Sequence, residues 1–387
     1  MEPLKICIIT QQYGNIWSGA GTYATLLIDS LAKKGHVVTV ICPTDSVIEK
    51  KENINFLMVK KPKLDPTWIS ISYNFSKKLK QLGKKRFDII HFTDAREALF
   101  YSKSETPVVG SMLDYYFTVA NKNPLYYKKY YNDWFKRYLY YNFGKAIEQK
   151  ALFNLNVILP VCQHISNKLQ IVYKIPANKL RVVYNGIDIE KFKASHKMYQ
   201  KPDYPIILFI GTNFQRKGLP HLIKSSPQVI KELPTVQFYV IGKDPNTEKL
   251  KKLCTTLNVE NNFKFLGHIK YQDLPFYYEI ADVFVMPSLI EGFATVFMEA
   301  MASGTLVIGG NVGGTKELIN HGKNGFLVEK DDVDQLAAYI LESVRDKDLK
   351  ALLINEGYKT VENFNIQITV ANILNVYADI LEEKKIG

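Results

Sequence analysis

Two glutamates flank an apolar run in the last third of the chain. Glu291 and Glu299 stand eight positions apart in EGFATVFMEA, where a buried-strand pattern gives way to helical spacing. Backbone N–H groups at the start of a helix form an anion site, which predicts that a diphosphate binds near residues 293–296. Carboxylates there would not help to bind phosphate, so we expect them to accept hydrogen bonds from hydroxyls of a sugar and a ribose. The alternative is a helix-start glutamate favoured by the helix dipole and a second, solvated glutamate.

A basic pair follows another predicted strand. The apolar run PIILFIG ends at Gly211, and TNFQRKG then leads into a helix that begins near Leu219. Arg216 and Lys217 are therefore predicted to lie in a strand-to-helix loop, at the sheet edge where open α/β sheets bind their ligands. Arginine can bind two phosphate oxygens and lysine adds a mobile charge, so the pair is a candidate diphosphate clamp. A solvated basic pair in a loop is the alternative.

The elements that position these residues repeat along the chain. Short apolar runs alternate with helical stretches, and most runs, including LRVVYN (180–185), are continuously apolar, as in parallel strands covered on both faces. We predict an α/β protein with two doubly wound domains and a ligand in the cleft between them. The polar segment 193–205 is the predicted boundary, with domains at 1–195 and 196–365. A final helix within 366–387 is expected to pack back on the first domain.

Bulk composition excludes several classes of protein. Hydrophobic residues make up 47% and charged residues 23%, the balance of a soluble globular chain. No segment approaches the roughly 20 apolar residues that a transmembrane helix needs, and the N-terminal apolar run indicates a first strand rather than a signal peptide. The cysteines are far apart and form no CxxC pair, which predicts a cytoplasmic chain with neither disulfides nor structural zinc: Cys7, Cys42, Cys162 and Cys254.

Charge is distributed unevenly along the chain. Residues 1–190 hold 27 Lys and Arg against 15 Asp and Glu, whereas residues 191–387 hold 23 of each kind. A basic domain predicts docking on the inner face of an anionic membrane or on a phosphorylated substrate, and a merely solubilising surface is the alternative. Nucleic acid is not an expected partner, because no nucleic-acid-reading motif accompanies the basic residues.

An aromatic segment lies in the same basic part of the chain. NPLYYKKYYNDWFKRYLYYNFGKA (123–146) suits a membrane interface or a carbohydrate-stacking wall, and an amphipathic core helix is the alternative. On a helix its aromatic residues would form one broad face and two of its lysines the other: Tyr127, Tyr130, Tyr131, Trp134, Tyr138 and Tyr141 against Lys129 and Lys136.

The stretch GAGTYA (19–24) fits G-x-G-x-x-A, the fingerprint of a dinucleotide-binding site. In that motif the first glycine follows its strand directly, yet here eight residues separate Gly19 from Thr10. An acid should also end the second strand, but that strand ends in ICP and Asp45 comes only after it. Both departures disfavour an NAD-dependent oxidoreductase.

The segment 282–328 resembles the donor-site signature of retaining glycosyltransferases with the GT-B fold, more narrowly of family 4. It carries the E-x7-E spacing of the two glutamates, with Gly292, Phe293, the AMASG helix end and GG-x-x-E-L-I in the order typical of the family. QRKG resembles the basic element of the family, and VVYNGIDIEKF (182–192) resembles its NG-[IV]-D…F segment. Gly19 and Gly21 resemble its glycine-rich N-terminal loop, so the resemblance spans about residues 4–380.

The resemblance implies a role for each matching residue. Glu299 would hold ribose hydroxyls, Glu291 would contact the transferred sugar, and the basic pair would neutralise the diphosphate. The donor would bind mostly to the C-terminal domain and the acceptor to the N-terminal one, with no metal and no cofactor. The catalytic candidates are Arg216, Lys217, Glu291 and Asp114, and the donor-binding candidates are Gly19, Gly21, Gly211, Gly292, Phe293, Ala294, Thr295 and Glu299.

The implied reaction moves a hexose-type sugar, with retention, from a UDP- or GDP-linked donor to an acceptor hydroxyl. The acceptor would be a carbohydrate or a lipid-linked molecule in cell-envelope polysaccharide or glycolipid synthesis. In such enzymes the leaving diphosphate can itself take the proton of the acceptor on the same face. The expected work of the protein is therefore to position both substrates and to stabilise charge on the phosphate.

One departure from the family pattern concerns the fifth strand. The family often has a histidine near the reacting sugar, but VVGSMLD places Leu113 there, followed by Asp114. This departure questions any histidine-dependent step and keeps open a second interpretation, a non-catalytic nucleotide-sugar-binding protein of the same fold. His91 in FDIIHF either lines the acceptor side or is a satisfied histidine at the edge of the core.

Overall fold

The computed structural model divides into two compact units, Met1–Gly186 with Ile366–Gly387, and Ile187–Asn365. The second unit thus begins before the boundary segment expected from the sequence. The structure describes residues 2–14, 18–46, 48, 51–62, 67–83, 86–102, 105–114, 124–125, 134–193 and 201–386.

The first unit is built on a six-stranded parallel sheet with the order β3-β2-β1-β4-β5-β6. Its strands are β1 (Lys5–Ile9), β2 (Val37–Pro43), β3 (Ile54–Val59), β4 (Ile89–Phe92), β5 (Val108–Met112) and β6 (Val157–Pro160). Its helices are α1 (Gly19–Lys33), α2 (Thr67–Leu82), α3 (Trp134–Phe143), α4 (Lys145–Phe153) and α5 (Gln163–Tyr173), with 3-10 turns at Ala95–Ala98 and Ala177–Lys179.

The continuous apolar runs form central strands because both faces of the sheet are covered. Ile6 of β1 lies opposite Val38 of β2 and Ile89 of β4, and all three side chains are buried. The strand predicted for LRVVYN is wrong: this segment runs beside β6 but forms only an isolated bridge, between Leu180 and Ile158. Its valines have high β propensity, but propensity alone does not build a seventh strand without a continuous ladder.

The second unit repeats the plan with the order β12-β11-β10-β7-β8-β9, again all parallel. Its strands are β7 (Ile206–Ile210), β8 (Gln237–Ile241), β9 (Phe263–Gly267), β10 (Val283–Met286), β11 (Leu306–Gly310) and β12 (Phe326–Val328). Its helices are α6 (Ile189–Phe192), α7 (Leu219–Glu232), α8 (Thr247–Thr256), α9 (Leu274–Ile280), α10 (Thr295–Ala302), α11 (Thr315–Leu318), α12 (Val333–Arg345) and α13 (Lys347–Glu362), with 3-10 turns at Glu260–Asn262 and Tyr271–Asp273.

The last helix, α14 (Ile366–Ile386), belongs to the first unit. Val370, Ile373 and Tyr377 are fully buried in the same core as Leu27 of α1 and Ile8 of β1. Burying these side chains removes apolar surface from water and thereby holds the C-terminus on the first sheet. No helix in the described part of the chain is long and apolar enough to cross a membrane.

Candidate active site

The loop after β7 carries the two predicted cations at the carboxyl end of the second sheet. It makes a tight turn, with Asn213 at φ 54° and Gly218 at φ 81°. A Cβ atom at Gly218 would lie 2.0 Å from the Pro287 carbonyl oxygen, so only glycine fits there. The Leu289 N–H donates to the Arg216 carbonyl at 2.8 Å, which fixes the loop against the segment that follows β10.

Asp244 holds the same loop from the other side. Its Oδ2 accepts from the Phe214 N–H at 2.9 Å and its Oδ1 from the Asn246 N–H at 2.7 Å. The carboxylate thus ties the loop of Arg216 and Lys217 to the turn that follows β8. Asp244 carries no signal in the sequence, because nothing in the local spacing shows that the two turns are neighbours.

The structure brings Lys217 and Glu291 together as an ion pair. The Lys217 ammonium donates to Glu291 Oε2, and the two side chains are only 13% and 7% exposed. The Gly292 N–H donates to the other carboxylate oxygen at 3.2 Å. Burial raises the pKa of Glu291, but the charges of Lys217 and Arg216 outweigh it and hold the pKa below its ordinary value. Glu291 is therefore an ionised hydrogen-bond acceptor at neutral pH.

The predicted anion site lies beside this pair. Helix α10 begins at Thr295, and Ala294 in its N-cap position is extended and provides no side-chain cap. Phe293 and Ala294 are buried, so the turn before the helix is fixed by packing. Gly313 approaches the turn so closely that a Cβ atom there would lie 1.9 Å from the Glu291 carbonyl oxygen. Among the predicted residues, the structure thus brings Arg216 and Lys217 to Glu291, Gly292 and the start of α10.

Glu299 is the fifth residue of α10 and is only 3% exposed, which excludes the alternative of a solvated glutamate. The Tyr278 hydroxyl donates to its Oε2 at 2.8 Å. Burial raises the pKa of Glu299 to about 7, although Tyr278 and the charge of Lys191 act in the opposite direction. Near neutral pH this carboxyl therefore exists in both protonation states, unlike Glu291.

The remaining predicted residues lie elsewhere. Gly211 directly follows β7 and leads into the basic loop, and a Cβ atom there would lie 3.4 Å from Lys217 Cγ. Gly19 and Gly21 begin α1 in the first unit, where the Gly21 N–H is already capped by Ser18 Oγ at 3.1 Å. Asp114 follows β5 in the same unit and is half-buried.

Leu113 and the aromatic segment 123–146 also belong to the first unit. Leu113, at the position where the family often has histidine, packs against the first core. Of the aromatic segment, Tyr127, Lys129, Tyr130 and Tyr131 lie outside the described residues, as does the side chain of Tyr141. Trp134, Tyr138 and Lys136 belong to α3, and Lys136 is exposed.

His91 is a satisfied core histidine and does not line an acceptor site. Its side chain is fully buried, with Nδ1 2.5 Å from the Tyr377 hydroxyl and Nε2 2.8 Å from Ser111 Oγ. Tyr23 completes the network, with its hydroxyl 2.6 Å from the same serine. Burial lowers the pKa of His91 to about 3, so the ring is neutral.

Two cavities lie at the carboxyl ends of β8 and β9 in the second unit. The first, of about 490 Å³, is lined by Lys243, Asp244, Lys251 and Phe265 among others. The second, of about 470 Å³, is lined by residues on both sides of Tyr271, from His268 to Tyr277. Within the described ranges, no group of three or more His, Cys, Asp or Glu side chains is placed to hold a metal ion.

Two family models match parts of the chain that overlap at residues 189–191. The model described as "Glycosyl transferases group 1" matches residues 189–360, and "Glycosyltransferase Family 4" matches residues 17–191. An uncharacterized glycosyltransferase of Methanocaldococcus jannaschii is 28% identical over 98% of this chain and 99% of its own length.

A second relative matches over a shorter range. A GDP-mannose-dependent alpha-(1-6)-phosphatidylinositol monomannoside mannosyltransferase of Mycobacterium tuberculosis is 30% identical over 45% of this chain, and the match spans about half of the relative, 49%.

A solved structure supports the fold assignment. The Anabaena protein HepE, crystallised with UDP and glucose, superposes with a TM-score of 0.76 over 97% of this chain and 100% of its own, at 19% identity. At this identity the likeness concerns the fold alone. Together with the two parallel six-stranded sheets, it confirms the predicted α/β class and GT-B fold.

Proposed function

The chain belongs to the group 1 glycosyltransferases, and we propose that it moves a hexose-type sugar from a nucleoside-diphosphate sugar to an acceptor hydroxyl with retention of configuration. The observation that carries this proposal is the buried pair of Lys217 and Glu291, held beside the uncapped start of α10. A cation and helix N–H groups suit a diphosphate, and an ionised carboxylate beside them suits sugar hydroxyls.

The donor is proposed to bind the second unit. Arg216 and Lys217 would bind the diphosphate with the N–H groups at the start of α10, and Gly211, Gly292, Phe293, Ala294 and Thr295 would shape that site. Glu291 would accept hydrogen bonds from the transferred sugar, and Glu299 from the ribose. Among the relatives, one is named for GDP-mannose and one was crystallised with UDP, so both bases remain candidates.

The chemistry is proposed to need neither a metal nor a cofactor. As the bond to the sugar breaks, negative charge grows on the leaving diphosphate, and Arg216 and Lys217 would stabilise it. The leaving oxygen would take the proton of the acceptor on the same face of the sugar. Holding both substrates in this geometry is the main contribution of the protein.

The first unit is proposed to bind the acceptor, a carbohydrate or a lipid-linked molecule of cell-envelope polysaccharide or glycolipid synthesis. One relative is named for a phosphatidylinositol glycolipid, which supports a lipid-linked acceptor. Gly19 and Gly21 remain predicted donor-binding residues of this unit, and Asp114 remains a predicted catalytic residue. With Leu113 in the core rather than a histidine, no proton transfer by a side chain at that position is proposed.

Docking on an anionic membrane surface is also proposed for the first unit. The excess positive charge of residues 1–190 favours anionic lipid headgroups. Phe135 and Leu139 of α3 are 57% and 41% exposed, next to the exposed Lys136. Exposed apolar side chains flanked by lysine are suited to the boundary between headgroups and acyl chains.

A panel of donors tests the proposal directly. Thermal unfolding would be followed with UDP, GDP and their glucose, mannose, galactose and N-acetylglucosamine derivatives. A ligand at 100 times its Kd should stabilise the fold by about 2.7 kcal/mol. A hit would then be assayed for release of nucleoside diphosphate, with NMR of the product to read the configuration at the anomeric carbon. Failure of every nucleotide to bind would refute the proposed function, and an inverted product would refute retention.

A further inference from the structure

Glu299 is enclosed by side chains from three elements that precede α10 in the chain. Tyr278 of α9 donates to its carboxyl at 2.8 Å. Tyr271, in the 3-10 turn after β9, has a buried hydroxyl that makes no hydrogen bond of good geometry within the described residues, yet it lies near enough to lower the pKa of Glu299. Phe192 of α6 packs edge-on against both tyrosine rings, at centroid distances of 5.4 and 5.9 Å.

Lys191 of α6 supplies the cation of this enclosure. Its ammonium lies 3.9 Å from the centre of the Tyr271 ring, a cation–π distance, and the side chain is half-buried. Burial lowers the pKa of Lys191, and Asp188, Glu299 and Asp273 raise it. Its charge in turn lowers the pKa of Glu299. Lys191 is therefore held by an aromatic ring where its charge acts on a buried carboxyl.

The protonation state of Glu299 decides what it can bind. An ionised carboxylate only accepts hydrogen bonds and can receive one from each hydroxyl of a vicinal diol, whereas a protonated one uses an oxygen as a donor. A buried carboxyl that is largely protonated would therefore bind a diol weakly. The groups that act on Glu299 are Tyr278, Tyr271 and Lys191. Two other elements pack against α10. Strand β11 contains no titratable residue, and α13 approaches α10 where Gly357 faces Met301.

We propose that Lys191 and Tyr271 are positioning residues for the donor, which favour the ionised form of Glu299 that binds the ribose diol. This inference rests on the proposed function, because it assigns Glu299 to the ribose of a nucleoside diphosphate. Lys191 acts through its charge and Tyr271 through its hydroxyl and through the ring that holds the lysine. Neither residue needs to touch the reacting sugar.

Calorimetric titration of UDP and GDP between pH 5.5 and 8.5 tests the inference. With the wild type, affinity should tighten as pH rises through about 7, the pKa of Glu299. In Lys191→Met the midpoint should move to higher pH, and a move of about one pH unit weakens binding at pH 7 by about fivefold. Tyr271→Phe should move it in the same direction, and Lys191→Arg should restore it because the charge returns.

Two controls separate this role from a merely structural one. Lys193→Met changes an exposed lysine two positions away and should leave the pH profile unchanged. The 2′-deoxy forms of the two nucleotides keep the terminal phosphate but lack one hydroxyl of the diol, so Lys191→Met and Tyr271→Phe should shift their pH profiles less than those of the ribose forms. A loss of affinity in Lys191→Met that is equal at every pH, and equal for the ribose and 2′-deoxyribose nucleotides, would overturn the inference while leaving the proposed function intact. If neither nucleoside diphosphate binds the wild type, the proposed function and this inference both fail.

Discussion

The Lys217 ammonium is hydrogen-bonded to the Glu291 carboxylate across 74 positions of sequence, in the second unit. The resemblance assigns one residue to the phosphates and the other to the sugar, and the structure shows that the two side chains pair with each other. Each side chain therefore offsets the cost of burying the other's charge. A diphosphate that bound here as proposed would share or replace this pairing.

Breaking this pair should destabilise the second unit. Lys217→Met leaves Glu291 buried without its cation, which is expected to cost about 3–5 kcal/mol in the free energy of unfolding at pH 7. The double variant Lys217→Met, Glu291→Gln should lose less than the sum of the single variants, because neither charge is left alone. Urea unfolding followed by circular dichroism measures these values, with the exposed Lys252→Met as control.

The pH dependence of that effect has a defined sign. Because the pKa of Glu291 is depressed in the folded chain, its stabilisation is present above the ordinary value of 4.5 and is lost as pH falls through the folded pKa. The difference between wild type and Glu291→Gln should therefore shrink under acid conditions. A difference that stays constant from pH 7 to below 4 would contradict the ion-pair interpretation.

Removing the other basic residue should affect turnover more than folding. Arg216 is half-buried in the loop, and its proposed work is to stabilise charge on the leaving diphosphate. Arg216→Ala is expected to raise the barrier by about 3–4 kcal/mol, a loss of about 10²–10³ in kcat. Arg216→Lys should recover only part of this, because lysine does not bind two phosphate oxygens in the same planar fork. Steady-state kinetics with the donor found in the panel provides the test, and near-wild-type kcat in Arg216→Ala would remove the residue from the mechanism.

Replacing Glu299 should stabilise the protein while weakening donor binding. Its pKa is raised from the usual 4.5 to about 7, so the folded state keeps a proton that the unfolded state loses in this interval. The free energy of unfolding therefore falls as pH rises from about 4.5 to 7, by about 3 kcal/mol at 1.36 kcal/mol per pKa unit. Glu299→Gln, which can still accept from Tyr278, should lack this fall and be the more stable protein at pH 8. Urea unfolding at pH 5 and pH 8 checks the sign, and equal stability of both proteins at both pH values would contradict it.

Local sequence was sufficient for the strand-to-helix loops of the second unit. The turn residues between PIILFIG and the helix at Leu219 placed Arg216 and Lys217 at the sheet edge, and the E-x7-E spacing placed Glu291 before α10. These inferences needed only the turn residues that separate strands from helices in a βαβ repeat. The segment VVYNGIDIEKF contains Lys191 but gives no sign of its role, because the effect of Lys191 on Glu299 depends on a fold that brings α6 to α10.

Contacts between distant positions were beyond the sequence. The hydrogen bond between His91 and Tyr377 joins residues 286 positions apart, and no local pattern pairs a histidine with one of 24 tyrosines. The failed strand prediction at LRVVYN has a related cause. Whether a β-branched run becomes a strand depends on the edge available to it, which only the assembled sheet determines.

Removing the hydroxyl of Tyr377 should loosen α14 from the first unit. Tyr377→Phe keeps the ring, but it leaves Nδ1 of the buried His91 without its partner, at an expected cost of about 1–3 kcal/mol. The exposed Tyr73→Phe is the matched control and should change stability by less than about 0.5 kcal/mol. Amide hydrogen exchange in α14 measures the local effect. Protection that is the same in both variants would show that packing alone holds the helix.

The first unit is expected to bind membranes that contain anionic lipid. Flotation with vesicles that contain anionic lipid should carry the wild type upward, and the bound fraction should fall as salt screens the basic surface. The variant Phe135→Ser, Leu139→Ser should bind more weakly, since each apolar side chain that leaves water contributes about 1.5–3 kcal/mol. Leu352→Ser is the control: this leucine is 65% exposed, but it lies in residues 191–387, whose charges balance, so binding should not change. Equal flotation with neutral and anionic vesicles would show that the basic half of the chain serves another purpose, because the proposed attraction requires charge on the lipid.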